Sequence, residues 1–209
     1  MNDVVLARLD EDVKKVYDEA LPYLEQGRAG DVEHVHDVMG ELLDYKSDSA
    51  ELDLRVLLPV AILHDIGHAA ILEEHFKYLT GTDRLQNGKL VHMLTGAKIA
   101  KDILARAGYD PELSEQIVDI VAMHDADQVE GMGEEMFDTE AKKVFHDIDR
   151  LCIFNKGRFE KLIAKYGNKD KVEKTKGMLR KLVDGMFYDD LRQEAERRYQ
   201  DIEYLLDNA

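Results

Sequence analysis

The chain has 209 residues, 44% hydrophobic and 34% charged, enough to bury one sizeable core. Its formal net charge of −16 excludes a surface for duplex nucleic acid, whose phosphates it would repel, but not a small anion in a pocket where metal ions set the field. The one cysteine, Cys152, excludes an intrachain disulfide and a thiolate cluster and fits a reducing cytoplasm, no apolar run is long enough to span a bilayer, and MNDVVLARLDEDV at the N-terminus is too acidic for a signal peptide.

Only three prolines and little period-two alternation predict helix throughout and almost no sheet. Residues from about Asp3 to Glu25 read as one amphipathic helix with Leu6, Val13, Val16 and Leu24 apolar. Gly27 and Gly30 break it, and Asp31 caps a second helix through about Tyr45. A third runs from about Ala50 to His64, with Pro59 expected to kink it. Thr80 to Lys89, TGTDRLQNGK, reads as a loop on its turn chemistry. A helix over about Leu90–Ala107 closes at Gly108, and Asp110-Pro111 starts another that reaches about His124. His124 to Asp138 is an acidic, glycine-containing loop, and a helix over about Thr139–Phe154 follows. From Arg158 the chain reads as two or three highly charged helices ending near Leu206. There is no internal repeat and no low-complexity linker. The simplest organisation is a single domain, 1–209, with a core over roughly 30–154 and a C-terminal helical cover over roughly 158–209.

Four His-Asp dipeptides occur, His36-Asp37, His64-Asp65, His124-Asp125 and His146-Asp147. The second differs in context, with an apolar run before it and Gly67 after it, in AILHDIGHA (61–69). Aspartate is a hard oxygen donor and histidine a nitrogen donor, so the pair suits a metal that accepts both. At the inner end of a buried helix an unpaired carboxylate is costly, and a bound cation removes the cost. Other helices carry metal-type residues near their apolar faces. His92 shares a stripe with Gly96, Ile99 and Ile103, where Gly96 lets another backbone approach. His124 closes a stripe of Leu113, Ile117 and Ile120. Asp149 shares the stripe of Ala141 and Phe145, whereas Asp147 lies roughly 200° round the helix, on the surface side. Phase does not choose between His34 and His36. The first aligns with Val38 and Leu42, the second with Met39 and Leu43.

His34, His64-Asp65 and Asp149, in this order on an all-helical pattern, resemble the HD-domain superfamily of metal-dependent phosphohydrolases. HVHDV (34–38) is similar to the family's first-histidine helix, AILHDIGH (61–68) to its central motif and HDIDRL (146–151) to its terminal aspartate motif. The resemblance covers roughly Gly30–Phe154 and implies an all-α fold, an HD-domain helical bundle with additional C-terminal helices. Its register selects His34 over His36 and Asp149 over Asp147. His92 and His124 resemble the two extra histidines of dinuclear members. Carried over, Asp65 bridges two divalent metal ions (Fe, Mn, Mg, Co or Ni). His34, His64 and Asp149 complete one site, and His92 and His124 the other. Two metals about 3.5–4 Å apart activate a hydroxide and clamp a phosphoryl oxygen. His36, His75 and His146 are read as solvated face residues.

His68 departs from the lysine common in dinuclear hydrolases of the family. It is a candidate proton donor to a leaving group, alongside Asp65 as a catalytic residue. Lys89 and Lys98 flank His92 and are candidates for binding an anionic substrate. The leading function is hydrolysis of a small phosphorylated compound, a nucleotide or a phosphate ester, with the segments 80–89 and 125–138 shaping the pocket. The same ligand set also resembles HD-type di-iron oxygenases. A third reading is a non-catalytic HD module that senses a nucleotide. In the C-terminal helices Leu191, Ala195, Tyr199, Ile202 and Leu206 form a stripe that suits either a homodimer seam or packing within the chain. Duplex nucleic acid and membrane are not expected partners.

Overall fold

A computed structural model describes residues 2–45, 52–71, 81–157, 159–160 and 169–207. The described residues are all-α, without a strand, in the order α1 (Asn2–Leu6), α2 (Glu11–Gln26), α3 (Asp31–Asp44), α4 (Leu54–Leu63), α5 (Gly81–Ala107), α6 (Pro111–Met123), α7 (Glu140–Ile153), α8 (Lys169–Asp184) and α9 (Asp189–Asp207). Short 3-10 turns over Ile66–Ala70, Ala126–Gln128 and Glu134–Met136 join them. Among the described residues, no helix is long and apolar enough to cross a membrane.

The chain forms two compact units, Met1–Phe145 and His146–Ala209. In the first, α4 is the central element. Every residue from Val56 to Leu63 is buried, as befits a helix that is apolar all round. It packs on α2, α3 and α6, and α5 lies against α2, α6 and the turn at Ile66–Ala70. Asp53 caps α4 by accepting from the Arg55 N–H. Helix continues through Pro59, whose ring nitrogen cannot bond the Arg55 carbonyl one turn back. That carbonyl instead accepts the Tyr109 hydroxyl at 2.6 Å, so the freed acceptor keeps a partner. In the second unit α8 and α9 pack together. Leu191, Ala195, Tyr199, Ile202 and Leu206 are buried within the single chain.

Three expectations for the elements change. The helix over 3–25 is two helices, because the Asp10 side chain accepts from the Val13 N–H and starts α2 afresh. The N-cap of α3 is Gly30, with φ +99, and Asp31 turns its carboxylate back to the Arg28 N–H at 2.7 Å. The segment from Gly81 to Lys89 is helical, the first turns of a 27-residue α5. Its turn-forming residues are accommodated there, as the Asn87 side chain donates to the Asp83 carbonyl at 2.9 Å. Thr80, His75 and the start of the third expected helix, Ala50–Glu51, lie outside the described residues. At the other end of α5, Gly108 takes φ +69 and Tyr109 N–H returns to the Leu104 carbonyl, the glycine-closed helix end that was expected. Asp110 and Pro111 open α6 as cap and first residue.

Candidate metal centre

The inner end of α4 delivers His64 and Asp65. Both are buried, and the 3-10 turn that follows presses against α5. Gly67 makes this approach possible. A Cβ there would stand 1.9 Å from the His92 carbonyl oxygen and 2.7 Å from the Gly96 nitrogen. A Cβ on Gly96 would meet the Gly67 nitrogen at 3.3 Å, so the expected close backbone approach is real and Gly67 is its tighter side. The contact sets the distance between Asp65 on the turn and His92 on α5.

Five histidines surround Asp65. Its Oδ2 lies 3.4 Å from His64 Nε2 and 4.0 Å from His34 Nε2. Its Oδ1 lies 3.3 Å from His68 Nε2, 3.7 Å from His92 Nε2 and 3.8 Å from His124 Nε2. One carboxylate thus turns one oxygen to each histidine pair. Within the pairs, His34 and His64 bring their Nε2 atoms to 3.3 Å, and His92 and His124 to 3.1 Å.

The other ring nitrogens explain why these atoms converge. His64 Nδ1 donates to the Ala61 carbonyl at 2.9 Å, His124 Nδ1 to Val121 at 2.8 Å and His92 Nδ1 to Gly88 at 3.3 Å. A carbonyl only accepts, so the proton sits on Nδ1 and the Nε2 lone pair points inward. Lone pairs facing each other across about 3 Å repel unless a cation or proton stands among them. Two ligands each about 2.1 Å from an octahedral ion stand roughly 3 Å apart, close to both observed spacings. The donor set therefore fits divalent metal. The fields follow the same layout. Burial would raise the Asp65 pKa, but the surrounding histidines hold it well below the usual carboxylate range. Burial, with His124 and His68 nearby, lowers His92 to about 3. Burial also opposes charge on His124, yet the Asp65 and Asp125 carboxylates raise it to about 9.

The HD domain family model matches residues 31–152, over half of the chain. The chain belongs to the HD-domain family. No curated protein and no solved structure shows a significant match to it. Members of the family are generally metal-dependent phosphohydrolases. Here the HD domain holds His/Asp clusters that could bind metal, Asp65 with His68 and His92, and His92 with His124 and Asp125.

Of the expected site residues, His34, His64, Asp65, His68, His92 and His124 come together. The His68 ring stacks on His92, with centroids 4.4 Å apart. Asp149 lies in the second unit, on α7 one helical turn beyond Phe145, whose ring meets His64 edge-on at 5.3 Å. Lys89 reaches the border of the centre and pairs with Asp125 at 2.8 Å. Lys98 is exposed, roughly 120° round α5 from His92.

Three polar residues expected at the surface are buried. His36 stacks on Tyr17 and shares a 2.8 Å hydrogen bond with its hydroxyl. His146 donates to Asp147 at 2.7 Å, and Asp147 has no exposure at all. Helical phase placed Asp147 on the surface side because it cannot see the Phe187 and Tyr188 N–H groups that the carboxylate accepts from. Two residues at the centre were not anticipated. Arg28, half-exposed, pairs with Asp65 Oδ2 and is held by Asp31 through its Nε at 3.0 Å. Nothing local distinguishes it from a surface arginine, apart from the glycines that bracket its turn. Asp125, with Oδ2 3.7 Å from His92 Nε2, was signalled by the His124-Asp125 dipeptide itself.

Proposed function

We propose that this HD-domain chain is a metal-dependent phosphohydrolase acting on a small phosphorylated compound, a nucleotide or a phosphate ester. The observation that carries the reading is the division of the Asp65 carboxylate between two histidine pairs, with the Nδ1 atoms of His64, His92 and His124 tied to backbone carbonyls. In this reading Asp65 bridges. His34 and His64 would hold one ion, and His92 and His124 the other. When bound, the cations supply Lewis acidity toward a phosphoryl oxygen and lower the pKa of water.

The chain's residues do the rest. The backbone carbonyls of Ala61, Gly88 and Val121 keep His64, His92 and His124 in the ligating tautomer. His68, stacked on His92 and partly exposed, donates a proton to the departing oxygen. Arg28 and Lys89 bring positive charge to the rim of a chain that is otherwise strongly acidic, and so favour an anionic substrate.

Elemental analysis of protein purified without chelator tests the reading, comparing wild type with His92→Ala. About two metals per chain, falling on substitution, with phosphate release from a nucleotide and phosphate-ester panel, is the expected result. A single ion indifferent to His92 overturns the dinuclear centre. Iron in both positions with substrate-dependent oxygen uptake and no phosphate release replaces hydrolysis with oxygenation.

A further inference from the structure

The two halves of the centre are built alike. The all-buried helix α4 ends in AILHD (61–65) in one, and the buried face of the amphipathic helix α6 ends in VAMHD (121–125) in the other. Both histidines close their helix in right-handed helical geometry and send Nδ1 to the carbonyl three residues back. Both aspartates then take φ near −100° and ψ near 0°, at −95°/1° for Asp65 and −112°/19° for Asp125. Each is followed by a 3-10 turn that opens on a buried residue, Ile66 or Ala126. The correspondence spans too few residues to register as a sequence repeat. It nevertheless sends two carboxylates into the centre, and only Asp65 has a role so far.

Asp125 is placed to ligate. Its side chain is 15% exposed, and one carboxylate oxygen lies within 4.8 Å of the ligand atoms of both His92 and His124. Its own N–H rests on Met93 Sδ at 3.4 Å, which ties it to the residue after His92. Gln128, from the following turn, donates to Oδ1 and orients the group. Lys89 holds Oδ2, the oxygen nearer His92. Without Asp125 the His92–His124 site has no carboxylate of its own, although a divalent ion favours at least one anionic ligand.

We propose that Asp125 is a seventh protein ligand, the terminal carboxylate of the His92–His124 site, and that Lys89 competes with the metal for it. The proposal rests on the dinuclear reading above. The ion at His92 and His124 would then have an aspartate of its own besides a share of Asp65.

Cobalt(II) titration of the metal-free protein tests this, followed by calorimetry and by visible absorption, for wild type, Asp125→Asn, Lys89→Met and the double variant. Wild type binds two ions. Asp125→Asn weakens one of them, on the order of tenfold or more, alters its absorption and leaves the other unchanged. Lys89→Met tightens the same ion severalfold, but only while Asp125 is present. A simple field effect of the lysine would instead add equally in both backgrounds. Wild-type affinities and absorption in Asp125→Asn overturn the proposal, as does equal tightening by Lys89→Met with and without Asp125. If wild type itself binds fewer than two ions, the dinuclear reading has failed first, before any variant is compared, and the seventh ligand falls with it.

Discussion

His64-Asp65 in the first unit and His146-Asp147 in the second are the same dipeptide, and all four residues are buried. Their surroundings differ in one respect. Asp147 is satisfied by the protein around it, accepting from His146 Nδ1 at 2.7 Å and from the Phe187 and Tyr188 N–H groups at 2.8 Å. Asp65 pairs with Arg28 through Oδ2 and is otherwise surrounded by histidine Nε2 atoms at 3.3–4.0 Å, most of them too far for hydrogen bonds, those of His64, His92 and His124 with lone pairs turned inward. The first arrangement is complete and rigidifies a helix junction. The second leaves donor capacity that a cation can use. Burial and residue type are shared, so the two pairs are told apart by their partners, His146 Nδ1 going to its own aspartate and His64 Nδ1 to a backbone carbonyl.

The contrast is broken most severely at Gly67. Its Cα lies so close to the His92 and Gly96 backbones that alanine forces α5 away from the Asp65 turn. Gly67→Ala is expected to cost roughly 3 kcal/mol or more, at the upper end of overpacking effects because the obstacle is backbone. It should also abolish the stabilisation that added metal confers. Denaturant unfolding with and without manganese measures both. An alanine variant that keeps wild-type stability and metal response would remove Gly67 from the positioning of the centre.

Substituting the two aspartates sharpens the comparison directly. Asp147→Ala leaves two buried N–H groups without an acceptor and is expected to lose about 2–3 kcal/mol while retaining metal. Asp65→Asn is expected to abolish the metal-dependent rise in Tm, which Asp147→Ala leaves in place. In wild type that rise corresponds to roughly 2.7 kcal/mol at a hundredfold excess over Kd. If both variants lose metal and stability in parallel, the distinction between a satisfied and a ligating pair is wrong.

A smaller effect is expected at Tyr109, whose hydroxyl supplies the Arg55 carbonyl that Pro59 leaves free at the entrance to the His64 helix. Tyr109→Phe should cost about 1 kcal/mol, as for one partly exposed hydrogen bond, and leave metal content untouched. Thermal unfolding reads it. No loss would mean that water replaces the hydroxyl without penalty.

The parts of this molecule that were readable from the chain are those written locally. Apolar periodicity marked α4 and α6, Gly108 marked a helix end, and Asp110-Pro111 marked a start. The Asp10 cap was equally local, with Glu11 and Asp12 in its first turn, but the continuing apolar stripe hid the break. Gly81 to Lys89 misled because turn propensity is a weak prior once a long helix is held elsewhere along its length. Helical phase and the order of motifs brought forward His64, Asp65, His92 and His124. Phase could not foresee buried His36, whose partner Tyr17 comes from another helix, or buried His146, whose partner Asp147 is itself held by the Phe187 and Tyr188 N–H groups. Arg28 was beyond reach for a related reason. A long side chain aimed from a turn by Asp31 leaves no period to read.

The smallest expected effect lies in the second unit, where an exposed carboxylate provides the counterpart to the buried ones. Glu194 accepts from Arg197 at 2.6 and 2.8 Å and from Arg198 at 2.7 Å. Its hydrogen bonds to Arg197, opposed by modest burial and helped by Arg198, lower its pKa from 4.5 to about 2. A carboxylate whose folded pKa lies below its unfolded value contributes stability that is fully present above the unfolded value. That contribution is lost as pH falls from about 4.5 toward 2. Solvent screens the group, so the loss amounts to a few tenths of a kcal/mol and is expected to be salt-sensitive. Glu194→Gln should therefore differ from wild type in Tm at pH 6 and converge with it as pH falls to about 2. A difference that persists at low pH would show that the glutamate acts through packing rather than charge.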